Sequence, residues 1–176
     1  MTELKQLHMQ RDLRKPLPTL PPLDSAYSII TAMSDGGPAA WECIIESSFE
    51  RHVPFEQITR DTTCALNRVF ILMCNGQPAA TASVQQLTTP GMGKVHMVGT
   101  HKDFRGHGYG RLMVLTALHH MQANGILTAQ LTTDDFRLPA IHTYLGLGFE
   151  PMMVDETMPA RWAAVHENLA AYNKSK

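Results

Sequence analysis

Arg105-Gly106-His107-Gly108-Tyr109-Gly110 sets glycines at alternate positions directly ahead of a leucine-rich segment. Without a Cβ, such a turn lets a ligand approach the backbone closely. A helix opening at its end would add unpaired amides and the positive end of a dipole, which suits phosphate or pyrophosphate. Spacing excludes two familiar glycine patterns. The dinucleotide pattern GxGxxG fails because Arg111 or Met113 stands where its third glycine belongs. A P-loop fails because no Gly-Lys pair is followed by Ser or Thr. His119-His120 offers metal ligands, but neighbours on a helix diverge by about 100°. No His-Glu-x-x-His occurs either, so no metal is expected.

These residues need elements to hold them. Tyr27 to Ala32 reads as a strand, closed by Asp35-Gly36-Gly37. Pro38 suits a first helical turn, and Trp41, Ile44, Ile45 and Ser48 follow at helical spacing. A short helix is expected near Pro54. Arg68 to Cys74, Asn75-Gly76 and Gln77 to Leu87 form a hairpin pattern, since Asn-Gly readily takes positive φ. Lys94 to Thr100 is a further strand and Gly108 to Asn124 a helix, stopped by Gly125. Ile126 to Thr132, Leu138 to Leu147 and Phe149 to Val154 read as strand, helix and strand. Pro159 opens a last helix. The expected fold is α/β (α+β), a mixed central sheet of about six or seven strands flanked by helices.

Two segments together resemble a known family. RGHGYG resembles the Arg/Gln-x-x-Gly-x-Gly/Ala signature of the GNAT N-acetyltransferase superfamily, and PAIHTYLGLGFEP resembles its Ala-Ile-x-x-Tyr-x-x-x-Gly-Phe segment. The resemblance covers about residues 27 to 155. It implies that acetyl-CoA is the cosubstrate. Backbone groups of Arg105, Gly106, His107, Gly108, Tyr109 and Gly110 would cradle its pyrophosphate, and Val98 and Thr100 would offer main-chain groups to the pantetheine. Ala140, Tyr144 and Gly148 lie four apart, so Tyr144 is expected to share a helix face with small neighbours. Two positions depart from the pattern: Lys102 where many members have Pro, and Arg137 where many have Asn.

The implied reaction is direct attack of a primary amine on the thioester in a ternary complex. A lysine-like amine, with a reference pKa of about 10.4, must first lose a proton to a base. His96 is the first choice, four residues before Thr100 and expected on the same strand face, where serotonin N-acetyltransferase and its relatives also carry His. Glu46 and Glu50 are weaker alternatives. A strand-end amide near Val98 suits the oxyanion. The resemblance points to Tyr144 for the departing thiolate, as a hydrogen-bond donor. The alternative reading is a GNAT-fold module that binds acyl-CoA without turnover.

Composition bounds the rest. Over 176 residues, 44% hydrophobic and 18% charged, the chain reads as a packed domain and excludes a disordered tail or collagen-like fibre. Fifteen Lys and Arg against sixteen Asp and Glu give a net charge of -1, so neither nucleic acid nor a membrane surface is an expected partner. The acceptor is expected to be a small-molecule or peptide amine. Cys43, Cys64 and Cys74 lack paired spacing and read as reduced, inert thiols. Charges at Lys5, Arg11, Asp12, Arg14 and Lys15 break any apolar signal core, so a soluble cytoplasmic protein is the expectation. Residues 1–24, crowded with Pro16, Pro18, Pro21 and Pro22, read as an extended arm. Residues 25–176 read as a single domain including an extra C-terminal helix. The stripe Trp162, Val165, Leu169, Tyr172 needs the sheet, the arm or a second copy to cover it, which makes a homodimer one expectation.

Overall fold

The computed structural model describes residues 5–60 and 63–174. Its strands are β1 (Leu7–Asp12), β2 (Tyr27–Thr31), β3 (Val69–Cys74), β4 (Gln77–Gln86), β5 (Met92–Thr100), β6 (Thr128–Thr133) and β7 (Glu150–Met152). Its helices are α1 (Gly37–Phe49), α2 (Glu56–Thr59), α3 (Tyr109–Ala123), α4 (Leu138–Gly146) and α5 (Met158–Lys174). The seven strands form one mixed sheet in the order β2-β3-β4-β5-β6-β1-β7, with only β5 and β6 parallel. The expected fold class is the observed one.

Each face of the sheet has its own core. On one face, α1 buries Trp41, Ile44 and Ile45 completely, against Val69 and Ile71 of β3. Each such side chain contributes roughly 1.5–3 kcal/mol on leaving water. On the other face, α3 buries Met113, Val114, Leu115, Leu118 and Met121, joined by Ile141 of α4. Trp162, Val165 and Leu169 of α5 complete this second core. Trp162, Val165 and Leu169 of the C-terminal stripe are therefore covered within the chain, and these three give no reason for a homodimer. No described helix is long and apolar enough to cross a membrane.

The expected arm contains a strand. β1 lies between β6 and β7, antiparallel to both, where only an extended peripheral segment was expected. Leu7, Met9, Arg11 and Leu13 alternate inward, and the sequence hides this period because one inward residue is an arginine. Arg11 is 7% exposed; its guanidinium donates to the Leu147 carbonyl, and to the Pro16 carbonyl at 2.8 Å. The prolines then lead a strap across α3, where the Gln122 amide donates to the Leu13 carbonyl (2.7 Å) and the His119 ring bonds the Pro18 carbonyl (2.8 Å). Residues 1–4 of the expected arm, and 175–176, lie outside the described residues.

Candidate functional site

β5 is irregular on both of its edges. Towards β4, Ser83 faces His96 and Thr81 faces Gly99, so Met97 and Val98 together oppose Ala82. This is a β-bulge, and Met97 takes a φ of 49° within it. The Ser83 hydroxyl donates to the His96 carbonyl at 2.7 Å just before the bulge. Towards β6, pairing covers Met92 to Lys94 alone. Beyond Lys94 the two strands part, and 95–100 and 131–133 line a wedge that opens at their C-terminal ends.

The bulge changes which way the side chains point. Ala80, Ala82 and Val84 of β4 belong to the core under α3, so Thr81 and Ser83 face α1, and so does His96 opposite Ser83. A Cβ on Gly99 would stand 3.2 Å from Ile45 of α1. Thr100, in contrast, brings its hydroxyl 3.3 Å from where a Cβ on Gly110 of α3 would stand. His96 and Thr100 were expected on one face; they lie on opposite faces because one extra residue intervenes.

At the open end of the wedge, residues 101–108 turn into α3. Gly106 and Gly108 have φ of 83° and 76°, and added Cβ atoms there would meet nothing within 4 Å. The space above the turn is open, and a β-branched side chain would fill it. Here Thr100, the 105–108 turn and the first amides of α3 come together. Lys102 explains its own departure from the family pattern: its amide donates to the Ser47 hydroxyl at 2.9 Å, a bond proline cannot make. The Arg105 side chain reaches the Ser47 and Ser48 carbonyls at 3.5 and 3.4 Å, tying the turn to the end of α1. A cleft of about 720 Å³ lies between them, lined by Cys43, Glu46, Glu50 and Lys102 among others. Glu46 and Glu50 belong to this cleft, and Cys43 is exposed in it rather than packed.

The strap supplies a neighbour that the sequence reading missed. Pro21, Pro22 and Leu23 form one wall of a groove of about 260 Å³ whose other wall is His107, Gly108 and Tyr109. The His107 and Tyr109 rings stack 5.4 Å apart, and the Tyr109 and Tyr27 hydroxyls bond at 2.8 Å.

Tyr144 stands on α4, which follows β6. It is 6% exposed, meets Phe149 edge-on, and burial pushes its hydroxyl up to about 12 against the pull of the Arg137 charge. Gly148 lies beyond the end of α4 with a φ of 81°, so it does not share the helix face of Ala140 and Tyr144. Arg137 precedes α4. Its Nε donates to Asp134 at 2.9 Å, and its guanidinium lies 4.6 Å from the centre of the Phe49 ring and 5.6 Å from that of Phe136. His119 and His120 diverge, the first to the strap and the second to the edge of Phe70. Among the described residues no group of three metal-ligating side chains gathers.

A model of the acetyltransferase (GNAT) family matches residues 38–149, which hold β3 to β6, α2 to α4 and both glycine segments. The chain belongs to this family. Mycothiol acetyltransferase of Nocardia farcinica is 38% identical over 74 residues, 42% of this chain and 24% of that protein. The same-named protein of Thermobifida fusca is 39% identical over 59 residues, 34% of this chain and 18% of its own length. These matches span a quarter or less of those relatives. A GCN5-related N-acetyltransferase from Sphaerobacter thermophilus superposes with a TM-score of 0.68 at 19% identity, over 85% of this chain and 50% of that one. Another, from Kribbella flavida, gives 0.59 at 23% identity, over 84% and 55%. At such identities the likeness is one of fold.

Proposed function

We propose that this GNAT domain transfers an acetyl group from acetyl-CoA to a primary amine by direct attack in a ternary complex. The observation that carries the reading is the wedge between β5 and β6, open beside the glycine turn at the start of α3. An extended pantetheine can bond to the unpaired edge of 95–100 as an added strand, through main-chain groups of Val98 and Thr100. The amides from Arg105 to Gly110 then meet the pyrophosphate, at a turn whose glycines leave room for it.

The amine nitrogen, once neutral, attacks the thioester carbon; the N–C bond forms, the C–S bond breaks, and the amine proton passes to a base. His96 is the proposed base, and its place on the α1 face means the amine approaches from that side. Developing oxyanion charge is met by an amide near the bulge at Val98. Tyr144 donates a hydrogen bond to the departing thiolate. Full transfer of its proton, from about 12 to a thiol near 8.5, runs roughly 5 kcal/mol uphill, so solvent finally protonates the sulfur. The relatives named mycothiol acetyltransferase support acetyl transfer.

The test is thiol release from acetyl-CoA across a panel of amines, for wild type and Tyr144→Phe. A hydrogen bond to a charged group is worth about 1.5–3 kcal/mol, so the variant should turn over roughly ten- to a hundredfold more slowly with acetyl-CoA affinity unchanged. Wild-type turnover in Tyr144→Phe would show that the tyrosine only packs. Binding of acetyl-CoA with no amine accepted would favour a module without turnover.

A further inference from the structure

Beyond the wedge, half of the sheet lacks a helix on its α1 face. β1 and β6 bury Leu7, Met9, Ala129, Leu131 and Thr133 towards α3, α4 and α5. Alternation turns His8, Gln10, Gln130 and Thr132 the other way. α1 stops over β3, β4 and β5, and among the described residues no helix covers those side chains. Strand register lines them up: Gln85 faces Lys94, Lys94 faces Gln130, Gln130 faces Gln10, and Gln10 faces Glu150. One polar row thus crosses five strands, with Lys94 at the point where β5 and β6 part.

Lys94 is the unusual member. It is half-buried, desolvation alone lowers its pKa, and among the described residues no carboxylate lies within ion-pair reach. Its row neighbours Gln85, Gln130 and Gln10 are neutral amides. Glu150 turns to Lys15 at 3.8 Å. The other charged groups bearing on this face act at His8, where Lys94 and Lys5 lower the pKa and Asp155 raises it, burial being the largest influence. Asp155 is itself held by the Thr157 amide at 2.9 Å and hydroxyl at 2.6 Å. A half-buried ammonium without a counter-ion is costly, and an incoming anion would offset that cost. Arg137 offers a second cation near the wedge: Asp134 occupies its Nε, and no described residue bonds its terminal nitrogens.

We infer that this face seats the acceptor and that the acceptor is an ω-amino carboxylate, its carboxylate bound by Lys94 and its amine directed along β5 past His96 to the wedge. The inference rests on the acyl-transfer reading above. Four residues separate Lys94 from Val98, about 13 Å of strand. A lysine side chain spans part of that, so carboxylate and amine are several bonds apart. An α-amino acid, whose two groups share one carbon, is too short.

The experiment compares 6-aminohexanoate with hexylamine, equal in reach and different in charge, by thiol release at saturating acetyl-CoA. Wild type should favour the acid by roughly tenfold or more in kcat/KM. Lys94→Met should erase that preference and leave hexylamine within about twofold, whereas Lys94→Arg should keep most of it. Equal use of the two amines by wild type, or a preference that survives Lys94→Met, overturns the inference. A second arm needs no turnover: 6-aminohexanoate should raise the melting temperature of the acetyl-CoA-loaded protein, and not that of Lys94→Met. If no amine releases thiol, the acyl-transfer reading fails and this arm decides. A Lys94-dependent shift then supports the carboxylate site, and no shift overturns it.

Discussion

Replacing Gly148 by alanine tests how β1 is locked to the end of α4. Gly148 has a φ of 81°, and a Cβ there would collide with the Arg11 guanidinium. Two costs follow. A residue other than glycine in the left-handed region loses roughly 1–2 kcal/mol. Displacing Arg11 breaks its bond to the Leu147 carbonyl, a charge-assisted contact worth about 1.5–3 kcal/mol. Together these predict a loss of roughly 2.5–5 kcal/mol, or about 5–20 °C in Tm for a domain of this size. Urea unfolding of wild type, Gly148→Ala, Arg11→Met and the double variant separates the two. Without the guanidinium, Gly148→Ala should cost only the backbone strain of roughly 1–2 kcal/mol. Strictly additive losses, or a Gly148→Ala protein within about 1 kcal/mol of wild type, would refute the collision.

Acetyl-CoA should raise the melting temperature of wild type, and a folded Gly108→Val protein should lose that rise because its side chain fills the space above the turn. An undiminished shift would remove the pyrophosphate from this site. Lys102→Pro deletes the amide that donates to Ser47 and should cost about 1–3 kcal/mol by urea unfolding, although proline is common there in the family. Arg161 bonds Asp135 and lowers its pKa, so this pair's contribution to stability is present above pH about 4 and lost as pH falls through the depressed folded value. The urea midpoints of wild type and Asp135→Asn should accordingly differ at neutral pH and converge in acid; a gap that persists at low pH would contradict the pairing.

Most of the sheet and helices were legible because their signals are local. Asn75-Gly76 marked the β3–β4 hairpin, and Gly108 and Gly125 bracketed α3 to within a residue or two. The glycine turn beside β5 followed from the same residues. β1 was illegible because its partners lie more than a hundred residues away and its inward row includes Arg11, whose guanidinium bonds the Leu147 and Pro16 carbonyls. The bulge at Met97 was hidden too. Nothing in the residue type predicts a φ of 49° there, yet that single insertion moves His96 to the opposite face from Thr100. Lys94 was illegible because a lysine in a strand ordinarily reaches solvent; only the register across five strands reveals that its row neighbours on β4, β6 and β1 are neutral amides.

The position of β1 bears on how the chain can be made and cut. On the ribosome β1 emerges ahead of the other described strands, and its two neighbours, β6 and β7, follow only after more than a hundred further residues. Until then its hydrogen-bonding edges and the apolar side chains of Leu7 and Met9 have no native partners. Such long closure favours slow folding and a late, cooperative final step. A version lacking residues 7–12 would leave β7 without its partner strand and expose an edge of β6, so clipping before the strap should produce aggregation rather than a trimmed domain.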